Sequence, residues 1–185
     1  MKSPIDASFV TRWSVKSEGD QQEYDDIMAA VQGELKRTGN ISENTFIEIV
    51  RWKAARLLGK RGWIGRHLLR GQYKEIYAKR VSAARMAPDQ EKIFRLKAPG
   101  IDAPVASTIL HFMYPSKFPI MDVRTVKVLN HMEYVDWITR SLENYQLFRK
   151  VMRELSSETG FSFRKVDQAL FAYHKMKLGG RAVKK

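Results

Sequence analysis

The stretch from Lys97 to Leu129, KAPGIDAPVASTILHFMYPSKFPIMDVRTVKVL, constrains the fold more than any other part of the chain. It holds a Pro-Gly turn, an apolar run at helical spacing, and a lone carboxylate ahead of a second helical pattern. Proline fixes φ and the following glycine is free to take φ > 0, so Pro99-Gly100-Ile101-Asp102 can reverse the chain between two helices. Pro104 suits the first turn of a helix, where its missing N–H costs nothing, and Asp102 stands where an N-cap belongs. Val105, Ile109, Phe112 and Met113 share one face at helical spacing. Further on, Pro119 restricts Phe118 to extended geometry. The apolar segment Phe118-Pro119-Ile120-Met121 should then run through the core and deliver Asp122 at an edge. Asp122 opens the next helix, with Val123, Val126 and Leu129 inward, where it can cap free N–H groups and feel the positive end of the helix dipole.

The other segments repeat this helical grammar. Residues 1–18 read as irregular. Gly19-Asp20 opens a helix carrying Tyr24, Ile27, Met28, Val31 and Leu35 on one face, and Gly39 stops it. Ser42 caps a second, with Phe46, Ile49, Val50, Ala54, Leu57 and Leu58 inward. Gly59 to Gly71 reads as a glycine-broken basic loop bearing Lys60, Arg61, Trp63, Arg66, His67 and Arg70. A helix using Tyr73, Ile76, Tyr77 and Val81 follows, and Pro88-Asp89 starts a short one with Ile93 and Leu96. Beyond the central stretch, Trp137 and Ile138 lie in a connection. Ser141 to Ser156 is helical, Gly160 breaks it, and Ser162 caps a last helix that ends at Gly179-Gly180. Residues 179–185 read as a frayed basic tail. Strand-like alternation, internal repeats and low-complexity tracts are absent from the sequence. The expectation is an all-α domain over residues 1–185, with seven or eight helices around one core or in two lobes flanking a cleft.

Charge points to a polyanionic partner. The formal net charge is +13, and it is concentrated. Residues 1–40 carry five Lys/Arg against seven Asp/Glu, whereas Arg51 to Lys97 holds fourteen Lys/Arg against Glu75, Asp89 and Glu91. Such a surplus beside a helix-turn-helix reversal favours nucleic acid over a solvated face. A membrane surface is disfavoured, because no basic helix with a broad apolar face stands out. The chain has no cysteine, so disulfides, thiol catalysis and an iron–sulfur cluster are all excluded. MKSPIDASFV lacks the apolar run of a signal peptide, and an intracellular, cytoplasmic protein is expected. His67, His111, His131 and His174 show no metal-ligand spacing, and no phosphate-loop or serine-elbow motif occurs. His111 reads as a hydrogen-bonded structural histidine and Trp52 as core packing. Trp63 is open to either a core or a nucleic-acid role. For Arg124 and Lys127 a solvated face is the default, with contact to a phosphate as the alternative.

In its order of turn, helix and carboxylate, the central stretch resembles the helix-hairpin-helix DNA glycosylases, the superfamily of endonuclease III and the adenine mismatch glycosylase. The hairpin is Ala98-Pro99-Gly100-Ile101-Asp102, and the helix carries Val105, Ala106, Ile109 and Leu110. The later segment is Phe118-Pro119-Ile120-Met121-Asp122, followed by Val126-Lys127-Val128-Leu129. Two departures stand out. Asp102 replaces the second hairpin glycine, and Pro104 stands where bifunctional relatives carry a nucleophilic lysine.

The resemblance implies a glycosylase that hydrolyses the bond between a flipped base and its sugar in duplex DNA, with Asp122 as the catalytic carboxylate. Pro104 implies base release without strand cleavage. Contacts to DNA are expected at Pro99, Gly100, Ile101, Asp102 and Ala103 of the hairpin. Lys97, Arg124, Lys127, Arg61, Trp63 and Arg66 are expected to join them, with Trp63, Ile64 or Leu68 as a wedge in the base stack. No cofactor is expected beyond a monovalent cation at the hairpin carbonyls, and no protein partner is implied. On residue chemistry alone a plain N-cap is the favoured reading of Asp122, and the resemblance is what turns it toward catalysis. Two further readings stay open: a non-catalytic DNA-binding module of the same fold, and an RNA binder.

Overall fold

The computed structural model describes residues 5–17 and 21–179. Among these residues there are ten α-helices and no strand: α1 (Ala7–Ser14), α2 (Gln21–Thr38), α3 (Glu43–Ala54), α4 (Trp63–Leu68), α5 (Lys79–Met86), α6 (Lys92–Arg95), α7 (Ala103–Met113), α8 (Val123–His131), α9 (Leu142–Thr159) and α10 (Phe163–Tyr173). The all-α expectation holds. The helix opening at Gly19-Asp20 and tail residues 180–185 lie outside the described residues.

The count exceeds the expected seven or eight because two short helices escape the sequence pattern. Residues 7–14 are helical, not irregular. Asp6 caps α1 by accepting the Phe9 N–H at 2.8 Å, and Phe9, Val10 and Trp13 are buried. The second extra helix, α4, lies inside the segment read as a loop.

The chain forms two compact units, one built from α2 to α7 and the other from α1 with α8 to α10. In the first, α2 and α3 pack against α7, which has no solvent face: every residue from Ala103 to Met113 is buried. A helix so enclosed must satisfy its polar groups internally. The hydroxyls of Ser107 and Thr108 donate to the Pro104 carbonyl at 3.0 and 2.8 Å. The Tyr24 hydroxyl lies 2.7 Å from His111 Nε2, which gives His111 the structural role expected of it. At the C-terminus, Gln32 Nε2 donates to the carbonyls of Phe112 and Met113. Trp52 meets Phe112 edge-on with ring centroids 5.5 Å apart, in agreement with a core role.

Lys92 fixes the approach to the hairpin. Its side chain is only 6% exposed, and its ammonium donates to the carbonyls of Ala84, Arg85 and Ala87 at 3.1, 2.9 and 2.7 Å. One cation thus satisfies the acceptors left at the end of α5, where the dipole also favours positive charge. The four-residue α6, too short to persist alone, is held there by its own first residue.

In the second unit α1 packs on α10, and α8 packs on α10 as well. Thr125 of α8 donates to Asp167 Oδ1 at 2.8 Å, and Arg164 reaches Asp167 Oδ2 at 3.4 Å. This nearly buried pair joins α8 to α10. Gly160 closes α9 with φ 73°, the left-handed cap its position calls for.

The α2–α3 junction carries a pH-dependent clasp. Glu34 accepts from the Ser42 N–H at 2.7 Å, the Ser42 hydroxyl at 2.8 Å and the Thr45 hydroxyl at 2.9 Å. Burial raises its pKa, but these bonds and the charge of Arg37 outweigh it and hold the carboxyl below the free-chain value of 4.5. A depressed carboxyl contributes stability above its unfolded pKa and loses it as pH falls through the folded one. Glu34→Gln should therefore cost about 1 kcal/mol at neutral pH, discounted for partial solvent access. The gap to wild type should close by about pH 3. Urea denaturation at the two pH values measures this.

Candidate nucleic-acid interface

The hairpin forms as the sequence demands. Gly100 takes φ 81°, the value that the third position of a type II turn requires, and the Ile101 N–H donates to the Ala98 carbonyl at 2.9 Å. Tyr77 braces the turn from below, its hydroxyl donating to the Pro99 carbonyl at 3.0 Å. Burial pushes the Tyr77 pKa up to about 12, so the hydroxyl keeps the proton that it donates. Two turn carbonyls, Ala98 and Pro99, are thus already acceptors. Ala98 and Ile101 also pair as an isolated antiparallel bridge.

Asp102 is the N-cap of α7, its Oδ1 accepting the Val105 N–H at 3.3 Å, while the Ala106 N–H goes to the Asp102 carbonyl. Pro104 has no N–H. Of the donors that a helix start offers an anion, the Asp102 and Ala103 N–H groups are left, beside an exposed carboxylate. Ile101 and Ala103 are 4% and 1% exposed, so their side chains are packed away from solvent. Pro99, Asp102 and Lys97 are exposed, and Gly100 is half-buried.

Helix α4 rests against this turn. Gly62 is its N-cap, and a side chain at Gly65 would run into the carbonyls of Leu58 and Gly59, so glycine lets the helix lie directly on the preceding turn. A Cβ at Gly100 would come 2.7 Å from Ile64 Cγ1 and 3.1 Å from Trp63 Cβ. The glycine-rich segment and the hairpin therefore touch. Of the three wedge candidates, Ile64 is excluded, being fully buried, and Leu68 is half-buried. Trp63 stays 59% exposed, with the Arg66 guanidinium 4.8 Å from its ring centroid. Arg66 also donates to the Arg61 carbonyl at 3.3 Å, and both arginines are exposed. One continuous surface of this unit therefore presents Trp63, Arg66 and the Pro99-Gly100 turn.

Asp122 belongs to the other unit. Phe118, Pro119, Ile120 and Met121 are all buried, and Tyr145 donates to the Pro119 carbonyl at 2.9 Å. Arg149 holds the start of the segment, donating to the Lys117 carbonyl at 2.8 Å. The apolar run thus crosses a core and delivers a half-buried Asp122 at the head of α8, where Oδ1 accepts the Arg124 N–H at 2.9 Å. Arg124 and Lys127 are exposed, and the Arg124 guanidinium lies 4.5 Å from the Phe171 ring centroid.

Sequence reasoning missed His174, which follows α10 in a π-helical segment (His174–Leu178). Its pKa is lowered, first by burial and then by the charges of Lys127 and Arg124, with Asp122 acting in the opposite sense. No local pattern announces this grouping, because the residues are about fifty positions apart. Among the described residues, no group of three or more His, Cys, Asp or Glu side chains gathers as metal ligands would. No helix among them is long and apolar enough to cross a membrane.

Gly100 carries the contact between hairpin and α4, so its substitution tests the surface directly. Gly100→Ala should destabilise by about 1–2 kcal/mol, from the positive φ and from displacement of Ile64. Chemical denaturation gives the stability, and Trp63 fluorescence should shift as its support moves.

A scan of family models, a search of curated proteins and a search of solved structures each returned no match.

Proposed function

We propose that this chain binds duplex DNA in the manner of the helix-hairpin-helix glycosylases and releases a flipped base by hydrolysis at Asp122, without cutting the strand. The observation that carries the DNA reading is the joint surface of the Pro99-Gly100 turn and α4. There an exposed Trp63, backed by Arg66, stands beside a type II turn, within a segment holding fourteen Lys/Arg against three carboxylates. Tryptophan with arginine suits contact with bases, and exposed lysine and arginine suit phosphates.

Asp122 supports the hydrolytic part. A base in a duplex cannot be reached until its nucleotide leaves the stack. Breaking the bond from sugar to base sends the bonding electrons to the base and leaves positive charge on the sugar. A half-buried carboxylate stabilises that charge and takes the proton from the attacking water as the new C–O bond forms. Pro104 is buried and offers no amine, which supports base release alone. Asp122→Asn keeps the cap and the size. The variant should bind DNA as wild type does and lose base excision by about a hundredfold or more, the scale of an acid–base group. Single-turnover assays on a panel of damaged and mismatched duplexes measure the difference. Equal rates would reduce Asp122 to a cap.

One observation favours the second reading, a binding module without excision: Asp102 caps α7 through the Val105 N–H and puts an exposed carboxylate at the hairpin. DNA would then be held by side-chain cations and resisted by Asp102. Affinity should fall steeply with salt, and Asp102→Asn should tighten binding at low salt by severalfold, because the cap survives and the repulsion goes. Fluorescence anisotropy with a labelled duplex reads both. If neither wild type nor Asp122→Asn excises any base while binding persists, the module reading stands.

A further inference from the structure

We propose that Arg124, Lys127 and His174 form a phosphate-binding site in the unit built from α1 and α8 to α10, separate from the hairpin surface. The geometry comes first. Arg124 and Lys127 lie three residues apart on α8 and therefore share a face. The segment bearing His174 packs against that helix. Arg124 crosses to Phe171, one turn before His174, with 4.5 Å between guanidinium and ring centroid. Two elements thus bring two fixed cations and an imidazole together.

Nδ1 of His174 is sealed from solvent with no hydrogen-bond partner among the described residues. An imidazolium would keep a proton on that nitrogen with nothing to accept from it, which is costly. Burial and the charges of Lys127 and Arg124 depress the His174 pKa in the same sense. A guanidinium, an ammonium and an imidazole, with the Asp122 carboxylate as the nearby counter-charge, carry surplus positive charge that a phosphate group satisfies.

The charges around the ring set how it responds. From α8 it faces Arg124 and Lys127, and the cap Asp122 is the carboxylate acting on it. Its own segment adds the exposed Lys175 and Lys177. The charged residues of α10, Arg164, Lys165 and Asp167, lie seven or more residues away, about 10 Å or further along the axis. A bound phosphate would add negative charge beside a ring now surrounded mainly by positive charge. His174 should then take up a proton more readily, so its own titration reports occupancy.

The test follows the His174 ring Cε1–H resonance against pH by NMR in the full-length protein. It is run with chloride alone, with inorganic phosphate at tens of millimolar, and with a short duplex bearing 5′-hydroxyl ends. With phosphate the apparent pKa of His174 should rise by about one unit, a tenfold change in proton affinity, while His67 and His131 stay still. In an Arg124→Gln, Lys127→Gln double variant the starting pKa should be higher and the response to phosphate lost. A rise with the duplex as well identifies a DNA backbone phosphate as the source. A rise with inorganic phosphate alone identifies a small phosphorylated molecule. Both results support the site. No movement with either probe, or the same movement in the double variant, overturns it. The readout is independent of base excision, so this proposal and the glycosylase reading can fail separately.

Discussion

Complete burial of α7 is the constraint on which the hairpin unit depends. A helix with no wet face cannot leave a polar group to solvent, so each such group recruits a partner. Gln32 closes the C-terminus, Tyr24 meets His111, and two hydroxyls fold back on the Pro104 carbonyl. At the N-terminus the requirement falls on Asp102. A glycine there would leave the Val105 N–H without its side-chain acceptor at the edge of the core. The carboxylate that caps the buried α7 therefore also sets a negative group at the hairpin.

The positive charge around the turn is then carried by side chains. An amide-lined helix start holds phosphate in a fixed direction, whereas lysines and arginines on flexible stems act as diffuse charge. Lys97, Arg61 and Arg66 are exposed around the turn, and Trp63 supplies the one large flat apolar surface among them. Fixed geometry comes instead from the support beneath. Tyr77 holds the Pro99 carbonyl, Ile64 fills the space under Gly100, and Lys92 anchors α6.

Caps and stops were the most legible part of the sequence. Ser42, Asp102, Asp122 and Ser162 all cap the helices expected of them. Gly100 and Gly160 take the positive φ that their positions require. These signals are local, with cause and effect within four residues. What escaped was tertiary. The periodicity of α1 spans only Phe9, Val10 and Trp13, shorter than the window in which a period declares itself. Intrinsic propensity argues against α4, since glycine opposes helix, and the helix persists because Gly65 permits contact with the preceding turn. Val105, Ile109, Phe112 and Met113 suggested a one-sided α7. Full enclosure depends on packing partners in α2 and α3, more than fifty positions upstream.

The site residues divide along the same line. Asp122 was legible because a Pro-restricted apolar run leading to a carboxylate has few structural solutions, and the structure adopts the expected one. His174 was not, because its character comes from neighbours on another helix. The two carboxylate caps also differ in consequence. Asp102 stands exposed over the hairpin start, where it can only oppose an approaching phosphate. Asp122 is half-buried and followed on α8 by Arg124 and Lys127, whose positive charges draw anions toward this helix end. The same residue type at the same helical position is thus a repulsive guard in one unit and a negative centre framed by cations in the other. Neighbouring charge and burial, not the capping role they share, separate them.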